Sequence, residues 1–169
     1  IAFTANEAKS TGAEMHTAAS LKLATQQLVE NIKNPGIRMS FWTHYVTQPT
    51  TTSVQLLWAV PFLVTAEGQS HDFAAATLTA MVLFGFITGP VIGGICARTP
   101  HLRARLVYSV VGLTTSAWVI LLCMPGRSPS WLLFVCFLAI SVGGPASMVA
   151  FDFSKDIVPK ARLGTANGF

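Results

Sequence analysis

Four long intervals without a formal charge constrain this sequence more than any other feature. Arg38 and Glu67 are separated by 28 residues free of Asp, Glu, Lys and Arg, Asp72 and Arg98 by 25, Arg105 and Arg127 by 21, and Arg127 and Asp152 by 24. A charge at the bilayer centre costs about 2.5–3.5 kcal/mol on insertion scales, and a helix needs about 20 residues to cross the hydrocarbon core. A segment in lipid must satisfy its own backbone hydrogen bonds, which selects helices over isolated strands. The spacing therefore predicts an all-α, polytopic membrane helix bundle with spans near 42–64, 73–97, 106–125 and 130–151, and a truncated span starting about residue 163. Charged residues make up 11% of the chain, against about 25% in soluble domains.

Alternating loops then fall on opposite sides of the membrane. Ten of the 11 basic residues belong to one side: Lys9, Lys22, Lys33 and Arg38, then Arg98, Arg103 and Arg105, then Lys155, Lys160 and Arg162. The other side holds Arg127, with Glu67 and Asp72. The positive-inside rule makes the basic side cytoplasmic, the N-terminal segment included. Losing or adding one span would mix the two sets, so the charge split also supports the count. The net charge of +4 is explained by topology, without a nucleic-acid partner.

Residues 1–38 form a cytoplasmic segment and 39–169 the membrane domain. Ile1 in place of Met, and an apolar segment just opening at Phe169, set the expectation that both ends are cut. Ile1 to Thr17 is alanine-rich and mixed in charge, unlike a signal peptide. Leu21, Leu28 and Ile32 recur at helical spacing among Lys22, Gln26, Gln27 and Glu30, which reads as an amphipathic helix packed on the bundle or lying on the membrane. Asn34-Pro35-Gly36 ends it. Cys96, Cys123 and Cys136 lie in apolar runs without CxxC spacing and read as buried, inert thiols.

The first span is the least lipid-like. His44, Gln48, Thr52 (or Thr51) and Gln55 follow an i, i+4, i+7/8, i+11 pattern and share one helix face. Such a stripe must face protein or water. It is either the wall of a substrate pathway or hydrogen-bonding glue between helices, worth about 0.6 kcal/mol per contact. His44 is either a proton carrier, imidazole being the side chain that exchanges protons near neutral pH, or an ordinary hydrogen-bonded residue. Pro49 and Pro61 each remove a backbone donor and predict bends.

In the second span Gly85, Gly89 and Gly93, followed by Gly94, form a flat seam for close helix contact, static or sliding, and Pro90 adds a kink. Gly143-Gly144-Pro145 marks a weak point in the fourth span. No span contains Asp, Glu, Lys or Arg. No nucleophile elbow, phosphate-binding glycine loop or paired carboxylates suggest an enzyme, and no histidine pairing suggests a metal or other cofactor.

Two stretches carry a family resemblance. Gly93-Gly94-Ile95-Cys96-Ala97-Arg98-Thr99-Pro100-His101-Leu102-Arg103 resembles the G-x-L-x-D-R-x-G-R-K loop of the major facilitator superfamily, matching at Gly93, Ile95 and Arg98 and departing at Ala97 and Pro100. Val158 to Gly168 resembles the P-x-x-R-x-G-x-A-x-G start of that family's fifth or eleventh helix, through Pro159, Arg162, Gly164, Ala166 and Gly168. The resemblance covers about residues 39–169 and implies part of a twelve-helix secondary transporter. Trp131 to Phe151 lacks the arginine typical of helix four, so helices seven to ten are implied, with the other half of the cavity supplied by the rest of the polypeptide. It further implies a small-molecule solute moved by alternating access, with coupling to a proton or another ion left open, in a bacterial inner membrane. Arg98, Arg103 and Arg162 would then serve loop latching or gating, although topology alone places basic residues there, and Ala97 removes the acidic partner of the usual latch. The competing expectation is a non-transporting membrane scaffold or receptor-like subunit.

Overall fold

The computed structural model describes residues 23–158, apart from Ala24 and Gln27, together with Gly164. Among these residues every regular element is helical. The chain forms two compact units, Ser40–Asp152 and the described parts of Ile1–Met39 and Phe153–Phe169.

Residues 28–33 are helical and stop at Asn34, whose N–H still bonds the Glu30 carbonyl at 3.2 Å. Helix α1 (Pro35–Ser53) starts immediately. The Asn34 side chain accepts the Gly36 N–H at 2.9 Å and Pro35 takes the first helical position, so the same three residues stop one helix and cap the next. On the preceding helix Leu28 and Ile32 are exposed, and Leu21 lies outside the described residues.

Beyond α1 the helix runs on without a break to Ala66, through a π-helical turn at Val54–Trp58, the short α2 (Ala59–Pro61) and a second π-helical turn at Phe62–Ala66. The irregularity expected at Pro61 takes this form, with each flanking turn widened by one residue. The Glu67 N–H closes the second turn on Phe62 O at 3.0 Å.

Helix α3 (His71–Arg98) is capped by Ser70, whose hydroxyl accepts the Phe73 N–H. Asp72 in its first turn and Arg98 in its last oppose the helix dipole favourably. A 3-10 turn (Pro100–Leu102) leads into α4 (Arg103–Cys123). Met124 is extended because the residue before Pro125 is pushed out of the helical region, so α4 ends two residues short of the expected 125. The last helical run is α5 (Ser130–Ser141), α6 (Gly143–Ala146) and α7 (Val149–Ile157).

Three stretches of the described residues are long and apolar enough to cross a membrane: His71–Arg98, Pro100–Cys123 and Ser130–Ile157, with mean hydropathies of 2.0, 2.0 and 2.1. The fourth expected span, 42–64, lies in the helix from Pro35 to Ala66, which is long enough but carries too many Thr, Ser and Gln residues to join them by composition. Half of the most apolar window of Ser130–Ile157 is buried, against 17% in His71–Arg98 and 28% in Pro100–Cys123. The last run is therefore central, and α3 and α4 turn most of their apolar surface outward. Phe137 at its middle is fully buried and stacks on Phe62 at 6.0 Å, joined by Leu63, Ala74, Leu121 and Leu133.

Cys96 and Cys136 are buried, as expected, but Cys123 is exposed. It stands two residues after the buried Leu121, which on a helix turns it toward the opposite face of α4.

Candidate functional site

The polar face of the first long helix meets the last helical run between Ser40 and Thr51. Ser40 Oγ donates to Ala150 O at 2.5 Å, Ser147 Oγ to Gln48 Oε1 at 2.9 Å, and Thr51 Oγ1 to Ile140 O at 2.7 Å. Thr43, Thr47 and Thr51 are buried, and Thr47 spends its hydroxyl proton on its own helix, on Thr43 O at 2.8 Å. Ser40, Thr43, Thr47, Thr51 and Val54 thus form the contact stripe, one position away from the 44, 48, 52, 55 stripe read from the sequence. Alternation of polar and apolar residues could not separate these neighbouring faces, because both are polar.

The four residues of the expected stripe have different surroundings. His44 packs on Phe151 with ring centroids 5.6 Å apart, and its Nδ1 is buried without a hydrogen-bond partner among the described residues. Gln48 bridges Ser147 and Thr52, the latter at 3.1 Å. The Gln55 side chain makes no hydrogen bond among the described residues and lines a groove of 270 Å³ with Thr51, Met81, Phe86, Ser141 and Pro145. The groove lies where α1 and its π-helical continuation, α3 and the α5–α6 break come together, and none of its lining residues is charged.

Gly143 makes the close approach possible. A Cβ there would sit 2.6 Å from Thr51 Oγ1 and 2.7 Å from Thr47 O, closer than any real packing. Pro145, two residues on, has no N–H to offer the Ser141 carbonyl four residues back, and the run breaks at Val142. On α3 the glycines are less demanding. A Cβ at Gly85 or Gly89 would touch Pro145 at 3.8 or 3.9 Å, ordinary contact distances, and one at Gly93 or Gly94 would meet nothing within 4 Å.

At one end of the bundle two loops are clipped together. Glu67, buried, accepts the Ser128 N–H at 2.6 Å and faces the Ser128 hydroxyl at 3.4 Å, and Ser130 Oγ donates to Gln69 Oε1 at 2.9 Å. Gly68 has φ +68°, and a Cβ on it would strike the Arg127 guanidinium at 2.6 Å. From the sequence Glu67 reads only as a loop charge, and nothing in its spacing marks it as a clip.

At the opposite end Arg98 is exposed and Arg103 half-buried, while Arg162 lies outside the described residues. A second groove, of 180 Å³, runs along Gly89, Gly93, Cys96, Met148 and Asp152. Among the described residues no three His, Cys, Asp or Glu side chains gather as metal ligands would. No family model, curated protein or solved structure matches the chain.

Proposed function

We propose that this chain forms four membrane-crossing helices of a secondary transporter for a small solute, of the major facilitator type, with the N-terminal segment and the two basic loops in the cytoplasm of a bacterial cell. The observation that carries this reading is the broken helix α5–α6 beside an open, uncharged groove midway along the helices. Discontinuous helices near the bilayer midplane are how transporters bring backbone polar groups to a solute without charging the membrane interior.

The first helix qualifies as a span on grounds that hydropathy averages out. Ser40, Thr47, Gln48 and Thr51 are turned inward and bonded, while Trp42, Tyr45, Val46, Leu56, Leu57 and Trp58 are exposed, so most of the surface left for lipid is apolar. Phe41, Trp42 and Tyr45 form an exposed aromatic cluster, with Trp42 and Tyr45 rings perpendicular at 5.7 Å. Trp58 follows sixteen residues later, roughly 24 Å along a helix, and aromatic belts at two interfaces are spaced in this way.

The scaffold reading draws on the same stripe, because Ser40, Gln48 and Thr51 act as glue. The groove and the unbonded Gln55 favour transport over it. The test is uptake by proteoliposomes holding the full-length protein: solute-specific accumulation supports the proposal, and absence of flux across a broad solute panel, with folding intact, overturns it.

A further inference from the structure

We infer that the groove at Gln55 binds an uncharged solute that joins an apolar ring or chain to a primary amide. This rests on the transport reading and names the class of solute. The groove's hydrogen-bonding inventory is short. Thr51 has given its hydroxyl proton to Ile140 O and Ser141 has given its own to Leu138 O at 2.7 Å, so both hydroxyls offer the groove only lone pairs. Pro145 leaves the Ser141 carbonyl without its helical donor. The Gln55 carboxamide, half-buried and unbonded among the described residues, is the one lining side chain with protons to give, and it also carries an acceptor.

A matching ligand therefore needs two or three donors and one acceptor on a planar edge, which describes a neutral amide paired with Gln55. Its other end would rest on Met81, Val82 and Phe86. Charged ligands fit poorly. An anion would find a single donor group, and a cation would find lone pairs but no carboxylate, and an uncompensated charge in an apolar setting is expensive. The volume of 270 Å³, just below the usual range of about 300–1,000 Å³ for ligand pockets, suits a compact solute.

Benzamide, benzoate and benzamidinium share a ring and differ in the edge they present. In the full-length protein in liposomes, with Cys96, Cys123, Cys136 and every cysteine elsewhere in the polypeptide replaced by alanine, Val82→Cys would report on the groove through its rate of alkylation by a small neutral maleimide. Benzamide at millimolar concentration is expected to slow that rate at least threefold, with benzoate and benzamidinium changing it less than 1.5-fold. Gln55→Leu should abolish the protection, and Gln55→Glu should transfer it from benzamide to benzamidinium. Equal protection by benzoate, or benzamide protection that survives Gln55→Leu, overturns the inference. A Val82→Cys thiol reached by the maleimide but unprotected by benzamide overturns the solute class alone. One that aqueous reagents reach from neither side overturns the pathway reading beneath it.

Discussion

At the residue scale, the glycines of this chain separate into those that steric contact requires and those it does not. The four-residue spacing of Gly85, Gly89 and Gly93 looks like the packing seam, yet Gly143 is where a methyl group has no room, facing a backbone carbonyl and a threonine hydroxyl at 2.6–2.7 Å. A backbone atom cannot rotate away, so Gly143→Ala must push the two helices apart. The expected loss is about 1–3 kcal/mol, the usual range for overpacking, read as a lower thermal midpoint in detergent. Gly85→Ala and Gly89→Ala place a methyl at ordinary contact distance from Pro145, and alanine is favoured over glycine in a helix by about 1 kcal/mol. These two should be neutral or stabilising. A Gly85→Ala variant that falls as far as Gly143→Ala would restore the seam to α3.

At the scale of elements, the helices of highest hydropathy are legible because a charge-free interval has few alternatives in a membrane chain. Their edges are legible wherever one residue dictates the backbone: Ser70 as cap, Asn34 with Pro35, and Met124 before Pro125. The π-helical turns on either side of Pro61 were not legible beyond a bend, since a proline only deletes a donor, and packing decides how the neighbouring carbonyls are shared. The clip at Glu67 was hidden for a related reason, because its partners Ser128 and Ser130 lie some sixty residues away and have no distinctive spacing. The same logic explains why the first helix reads as polar while its outward surface is apolar: composition is summed over a helix, and lipid meets one side of it. If that helix crosses the membrane, Arg38→Cys and Ala66→Cys must react with an impermeant thiol reagent from opposite sides of oriented vesicles. Labelling of both from one side would leave three spans and remove the first helix from the bilayer.

At the scale of the whole membrane unit, Ser40–Asp152, the first long helix and the last helical run are tied near one end by Ser40 and Ala150, in the middle by Gln48 with Ser147 and Thr51 with Ile140, and at the other end by Glu67 with Ser128. Bonds distributed over a full membrane thickness resist sliding and hinging between the two elements, because any relative motion must break several together and leave buried polar groups unpaired. A rocking transporter would then carry this pair as one rigid body, with its changes of shape located elsewhere. Locking the pair should consequently cost nothing. In the cysteine-free background, a disulfide formed by oxidant between Ser40→Cys and Ala150→Cys is expected to leave the alkylation rate of Val82→Cys, from either side of the membrane, within twofold of the reduced protein. A crosslink that made the groove reachable from one side only would show that these two helices move against each other during the cycle, and that their bonds are made and broken in turn.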